Sequence, residues 1–192
     1  MDVAPNTHSD SDPGLAGKVI AVHLSPKHEF SKNTAEVIDV VAGHGVAGDA
    51  HFGPTAQHLS RKRRDPLLPN LRQVHLIQSE LFEELAADGF EVSPGDLGEN
   101  VTTSGLNLLA LSTGTTLHIG DVVLTLTGLR TPCAQINQFA PGLMKRLTPR
   151  DHDGTHYLAG VMTTVAVGGS VSAGDAIRVQ LPTEPHQGLE LV

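Results

Sequence analysis

Cys133 is the residue most able to do chemistry, and it is the single cysteine among 192 residues. It lies in "LTLTGLRTPCAQINQF" (124–139), where alternating apolar and polar residues give way to Pro132. Proline has no N–H to offer a sheet ladder, so the strand is expected to end there and leave the thiol at the mouth of the fold. Arg130 is close by, and "AQINQF" can open a helix directly after the thiol. A guanidinium and a helix N-terminus both favour thiolate over thiol. A thiolate is a nucleophile, a sulfur acceptor and a soft metal ligand. The competing reading is a small buried hydrophobe, and the residue types alone leave both open. One cysteine cannot form an internal disulfide, in keeping with a reducing compartment.

Two further segments place polar side chains at tight turns. "GHGVAGDAHFGPTAQH" holds Asp49 with His44, His51 and His58. Their even spacing invites a zinc reading, but no compact H-x-x-x-H motif supports it. Gly45 and Gly48 suit a loop whose N–H groups face an anion, without the lysine and hydroxyl residue of a P-loop. "PGDLGEN" (94–100) sets Glu99 beside Asn100. That pair can read the amide and amine edges of a heterocycle, or simply cap the turn. No Ser-His-Asp set, dinucleotide fingerprint or paired-carboxylate motif accompanies them.

The elements that must position these residues are short and β-rich. Twenty glycines, twelve prolines and 3% aromatic residues point to many turns. "KVIAVHLS" (18–25), "AEVIDVVAG" (35–43) and "RQVHLIQ" (72–78) read as strands. "SELFEELAADG" (79–89) reads as a helix, with Ser79 as N-cap, early glutamates, an apolar face of Leu81, Phe82, Leu85 and Ala86, and Gly89 as the stop. "TTLHIGDVVLTLTG" (115–128) has two extended segments around Ile119-Gly120-Asp121, and "GVMTTVAVGGSVSAGDAIRVQL" (160–181) repeats the idea around Ala173-Gly174-Asp175. Gly-Asp recurs at 48–49 and 95–96. Four such corners between short strands indicate a strongly bent, closed sheet. "NQFAPGLMKRLTPRD" (137–151) breaks the pattern and is expected to contain helix.

Length allows one well-filled core. One domain is expected over residues 17–182, between flexible tails at 1–16 and 183–192 that are rich in Pro, Ser, Asp and Glu. A net charge of −8 argues against nucleic acid as a partner. No apolar run reaches the roughly 18 residues of a membrane helix and no signal core opens the chain, so a cytoplasmic protein is expected. Against the acidic background, "SRKRRDPLLPNLR" gathers five of the thirteen Lys and Arg residues: Arg61, Lys62, Arg63, Arg64 and Arg72.

Together "GVAGDAH", "PGDLGENVTTSGLNLLALSTGTTLHIGDVVLTLTGLRTPC" and "AGVMTTVAVGGSVSAGDAIRV" resemble the MOSC domain, named for the C-terminal domain of molybdenum cofactor sulfurases. The resemblance runs from about Lys18 to Leu181. It implies a mainly β fold with a few helices (α+β), a closed or nearly closed mixed β-barrel. It also implies binding of the molybdenum cofactor, a molybdopterin with a terminal phosphate, at a cysteine that carries sulfur or ligates the metal. On this resemblance Cys133 is the catalytic and metal-binding residue, and Gly48, Asp49, His51, Gly95, Asp96, Glu99 and Asn100 are the motif positions around the cofactor. Arg72 and Arg130 are then suited to the phosphate, since arginine binds phosphate oxygens in pairs. The desulfurase domain of the large sulfurases, the N-terminal domain of amidoxime-reducing relatives and an iron–sulfur cysteine set have no counterpart in this sequence. A stand-alone form is expected: a small oxidoreductase acting on N-hydroxylated compounds with electrons from a partner protein. The alternatives are a carrier, holding a persulfide on Cys133 or the cofactor for transfer and served by a sulfur-donor protein, and a binding module in which Cys133 is merely buried.

Overall fold

A computed structural model describes residues 16–57, 65 and 67–192 of the chain. The basic residues 61–64, His58 and the N-terminal tail through residue 15 lie outside the described residues. In chain order the strands are β1 (Ala16–Leu24), β2 (Asn33–Ala35), β3 (Val37–Val41), β4 (Gly45–Val46), β5 (Val74–Gln78), β6 (Val101–Ser104), β7 (Thr116–Ile119) and β8 (Val122–Leu129). They continue with β9 (Arg150–Asp151), β10 (Gly154–Thr155), β11 (Val161–Val167), β12 (Gly169–Ser172) and β13 (Ala176–Gln180). The α-helices are α1 (Glu80–Ala87), α2 (Gln135–Phe139) and α3 (Leu143–Leu147).

β8 shows why the sheet closes on itself. Its residues alternate strictly between buried and half-buried, so Val122, Leu124 and Leu126 all point into one core. The order β13-β7-β8-β11-β5-β6-β1, with β1 returning to β13, makes a closed seven-stranded barrel. Ala16 lies opposite Arg178 and Lys18 opposite Ala176 at the closure. Closure leaves no barrel edge open to another chain. Every pairing round it is antiparallel except β5 with β6, where Leu76 lies beside Val101. That parallel step needs a crossover, and α1 supplies it. β5 is accordingly buried on both faces: Leu76 joins the barrel core and Ile77 packs with Leu81, Leu85, Ile136, Leu143 and Leu147 of the helices.

The helix at 79–89 is present with different capping from that expected. Ser79 precedes α1, but its hydroxyl makes no cap bond and its backbone is already helical. The C-terminal stop is as expected, with Gly89 at φ 84°, its N–H on Ala86 O and the Phe90 N–H on Leu85 O. This double bond pattern is the Schellman closure that only a left-handed residue permits. The corner at Gly174 is flanked by two extended segments, as expected. It does not fold β12 back onto β13: β12 pairs with β3 in a separate three-stranded sheet, while β13 enters the barrel. No helix among the described residues is long and apolar enough to cross a membrane.

The C-terminal segment, expected to be loose, instead lies along β8. Glu190 O accepts from Leu129 N at 2.7 Å, Val192 N donates to Leu129 O at 3.2 Å, and Gln187 O accepts from Thr113 N at 2.9 Å. Leu189 packs on the barrel core. Removing residues 187–192 is therefore expected to cost about 2–4 kcal/mol, from three backbone hydrogen bonds and one apolar contact. A urea unfolding curve with the midpoint unchanged would show that the segment contributes nothing.

Candidate functional site at the barrel mouth

At one end of the barrel, segments distant in sequence enclose a cavity of about 310 Å³. The loop after β1 gives His28, Phe30 and Lys32; the Gly48 corner gives His51; the segment before β5 gives Leu71 and Arg72. The turn before β6 supplies Gly98 and Asn100, and the stretch after β8 supplies Arg130, Thr131 and Cys133. His75 and Met162, on paired strands, form part of its wall.

The mouth is organised by a buried ion pair. Lys32 Nζ lies 2.6 Å from Asp49 Oδ2, with the two side chains 5% and 3% exposed. The same Asp49 oxygen accepts from Ser25 N and from Asn100 Nδ2, each at 3.2 Å. Oδ1 accepts from His51 N at 2.9 Å and faces His51 Nδ1 at 3.2 Å. Burial works to raise the Asp49 pKa, but the hydrogen bonds from His51 and the charge of Lys32 outweigh it and hold the carboxyl well below its usual range. Burial pulls Lys32 down from the ordinary lysine range, opposed by the attraction of Asp49.

Asn100 is fully committed: Nδ2 also donates to His23 O at 3.1 Å, and Oδ1 accepts from His75 N at 3.2 Å. Glu99 is wholly buried, with Oε1 accepting from Gly95 N and from Thr102 Oγ1 at 3.1 Å. Its Oε2 has no partner, and burial raises its pKa. Gly95 has φ 93°, and an added Cβ would stand 2.7 Å from Lys32 O and 2.9 Å from His23 Nδ1. Only glycine lets these two loops close together. His23 Nε2 sits 3.2 Å from Thr102 Oγ1, and burial, aided by Lys32, lowers its pKa from 6.5 to about 4. His75 is lowered well below the ordinary value by burial and then by Arg130, and its Nε2 donates to Ala159 O at 2.8 Å.

Arg130 is 8% exposed and lies with Cζ 6.0 Å from the Phe30 ring centre, while the Cys133 thiol donates to Gln135 Oε1 at 3.6 Å. Burial lowers its pKa, while Cys133 and Glu99 oppose that. Its Nη1 has no partner although buried. A buried guanidinium nitrogen left open beside a cavity is costly unless an acceptor fills the place. Cys133 is half-buried, and α2 begins after it with Ile136 N on Cys133 O at 3.1 Å.

Of the residues singled out by sequence, Cys133, Arg130, Arg72, His51 and Asn100 line one cavity, with Asp49 bonded to two of its walls. Glu99 stands behind the wall. Asp96 caps its own turn through Ser93 N at 2.8 Å, and Gly48 supplies φ 79° for the turn into Asp49; neither lines the cavity. His44 turns to Ala42 O and the Phe52 ring, so it does not join His51 in a metal set. Lys32, His75 and His28 went unnoticed in the sequence. Lys32 sits in a polar loop indistinguishable from a solvated one, and only its partner reveals it.

Two outcomes are expected from this network. Lys32→Met leaves Asp49 buried without its counter-charge and should cost about 3–5 kcal/mol by chemical denaturation, whereas Lys32→Met with Asp49→Asn should cost less. Equal losses in the two proteins would remove the charge argument. His23 stays neutral when folded and takes a proton near 6.5 when unfolded, so its contribution to stability is complete above pH 6.5 and is lost as pH falls toward 4. His23→Gln should flatten the pH dependence of the urea midpoint in that window, and an unchanged slope would assign it elsewhere.

The sequence pattern of the MOSC domain matches residues 47–178. No curated protein matches the chain significantly. Among solved structures, the YUAD protein of Bacillus subtilis is 24% identical, with a TM-score of 0.72 over 88% of this chain and 97% of that one. YiiM of Escherichia coli is 17% identical at a TM-score of 0.57, over 88% of this chain and 73% of its own. YiiM of Geobacillus stearothermophilus is 14% identical at 0.61, over 90% and 79%. These likenesses concern the barrel. The domain match spans the corner at Asp49, the turn at Glu99 and the thiol stretch, and on that ground the chain belongs to the MOSC domain family, which is associated with binding of the molybdenum cofactor.

Proposed function

We propose that this chain holds the molybdenum cofactor in the barrel-mouth cavity, with Cys133 as the metal ligand, and reduces N-hydroxylated compounds with electrons from a partner protein. The observation that carries the reading is the convergence of the only thiol and an unpaired, buried Arg130 nitrogen on one cavity. The donor set fits such a group. A thiol is a soft ligand for the metal, and Arg130, Arg72 and Lys32 are cations ringing the same space. Arg130 Nη1 and Arg72 are suited to phosphate oxygens, and Phe30, Leu71 and Met162 to the flat pterin. When bound, the cofactor supplies a metal able to exchange an oxygen atom and two electrons with a substrate.

The chain's own residues do the rest. Arg130 lines the same cavity as Cys133 and brings a positive charge to the side where the thiol stands. Lys32 and Asp49 fix the loops that form the opposite wall. Asn100 lines that wall, and Glu99, Gly95, Asp96 and Gly48 support it from behind. A cytoplasmic location suits a free thiol. The second reading, a carrier with a persulfide on Cys133, draws on the same thiol and guanidinium pair.

Metal and pterin analysis of protein purified from a cofactor-competent host should find about one molybdenum per chain, and Cys133→Ser should lose it. Cofactor retained by both proteins would take the metal-ligand role from Cys133. Absence from both, with a labile sulfur on Cys133, would favour the carrier.

A further inference from the structure

Reduction of an N–OH group consumes protons as well as electrons, so the cavity needs a proton donor, and most of its titratable groups are unfitted to the task. His75 is kept neutral by burial and its Nε2 proton is given to Ala159 O. Lys32 is locked on Asp49 at 2.6 Å. Arg130 is a guanidinium, and Cys133 is the assigned metal ligand. His51 differs from all of these. It lines the cavity, its side chain is 34% exposed, and its Nδ1 lies 3.2 Å from Asp49 Oδ1. Asp49 is ionised and can only accept, so Nδ1 must carry a hydrogen. The tautomer is thereby set, and Nε2 is the ring atom left to exchange protons.

We propose that His51 is the general acid of the N–OH reduction, and that Asp49 is the residue that positions it. This rests on the reductase reading above. With both ring nitrogens protonated, Nε2–H gives its proton to the leaving hydroxyl oxygen. The N–O bond breaks, its electron pair leaves with the oxygen as water, and nitrogen takes up a new pair in its place. Two electrons come from the external donor, and a second proton from solvent goes to nitrogen. His51 is left as the Nδ1–H tautomer and recovers its proton from solvent. The charged and titratable surroundings are Asp49 and His28 against the ring, with rings 5.1 Å apart in the latter case, and Lys32, Glu29, Arg72 and Arg130 round the cavity.

The test compares two substrates in molybdenum-loaded wild type and His51→Gln, with reduced methyl viologen as donor. Benzamidoxime loses hydroxide and needs the proton; O-acetylbenzamidoxime loses acetate and does not. The variant should keep its molybdenum, lose about 100-fold or more in kcat on benzamidoxime, and lose less than about tenfold on the acetyl ester. Its pH profile should also lack the fall toward high pH that marks a protonated donor. Equal losses on both substrates would overturn the role of His51 while leaving the reductase reading intact. Loaded wild type inactive on both would overturn the reductase reading, and this proposal with it. A readout independent of turnover is the 15N shift pair of the neutral His51 ring: Nδ1–H is expected, and Nε2–H would overturn the proposal.

Discussion

Lys32 and Asp49 meet from two separate loops at the barrel mouth and are buried as a pair. An isolated charge in such a place costs several kcal/mol, and attraction at short range offsets that only when the remaining hydrogen-bonding capacity is also met. Here it is met. Ser25 N, His51 N and Asn100 Nδ2 all donate to Asp49, and Asn100 in turn ties to His23 O and His75 N. The pair thus requires the loop after β1, the Gly48 corner, the turn before β6 and strand β5 to take up a single arrangement. The cavity is the space that arrangement leaves.

The electrostatic character of that space runs against the molecule as a whole. A chain of net charge −8 lines the barrel-mouth cavity with Lys32, Arg72 and Arg130 against the single carboxylate Glu29, and keeps the nearby Glu99 out of contact with it. Low-dielectric walls strengthen the field of such groups, so an anion is drawn to the mouth and away from the remaining surface. Arg130 stands closest to the thiol, and its affinity for an acceptor is unspent.

Much of the barrel is legible because its strands are half-buried, and half-burial writes a period of two into the sequence. β7 and β8 around Gly120 are plain for that reason, and α1 is plain because Leu81, Phe82 and Leu85 share a face. The partner of a strand is not written locally. The segments flanking Gly174 look like those flanking Gly120, yet they part into different sheets, since β12 finds β3 and β13 finds β1 and β7. The site divides in the same way. Cys133 and Arg130 stand out by rarity and by position at a strand end. Four Gly-Asp corners look alike, and Asp96 and Asp175 do cap their own turns through Ser93 N and Ser172 N. Asp49 alone of these three turns its carboxylate to a distant lysine, which no local pattern announces.

The register of the barrel bears on when the site comes into being. β1 cannot complete its ladder until residues 176–178 exist, and the cavity walls run from His28 to Met162. Contacts so far apart in sequence form late, after the cost of closing long loops has been met. A chain emerging from the ribosome therefore has no mouth to offer while most of it is still being made. A cavity whose walls stand so far apart in sequence is complete only in the closed barrel.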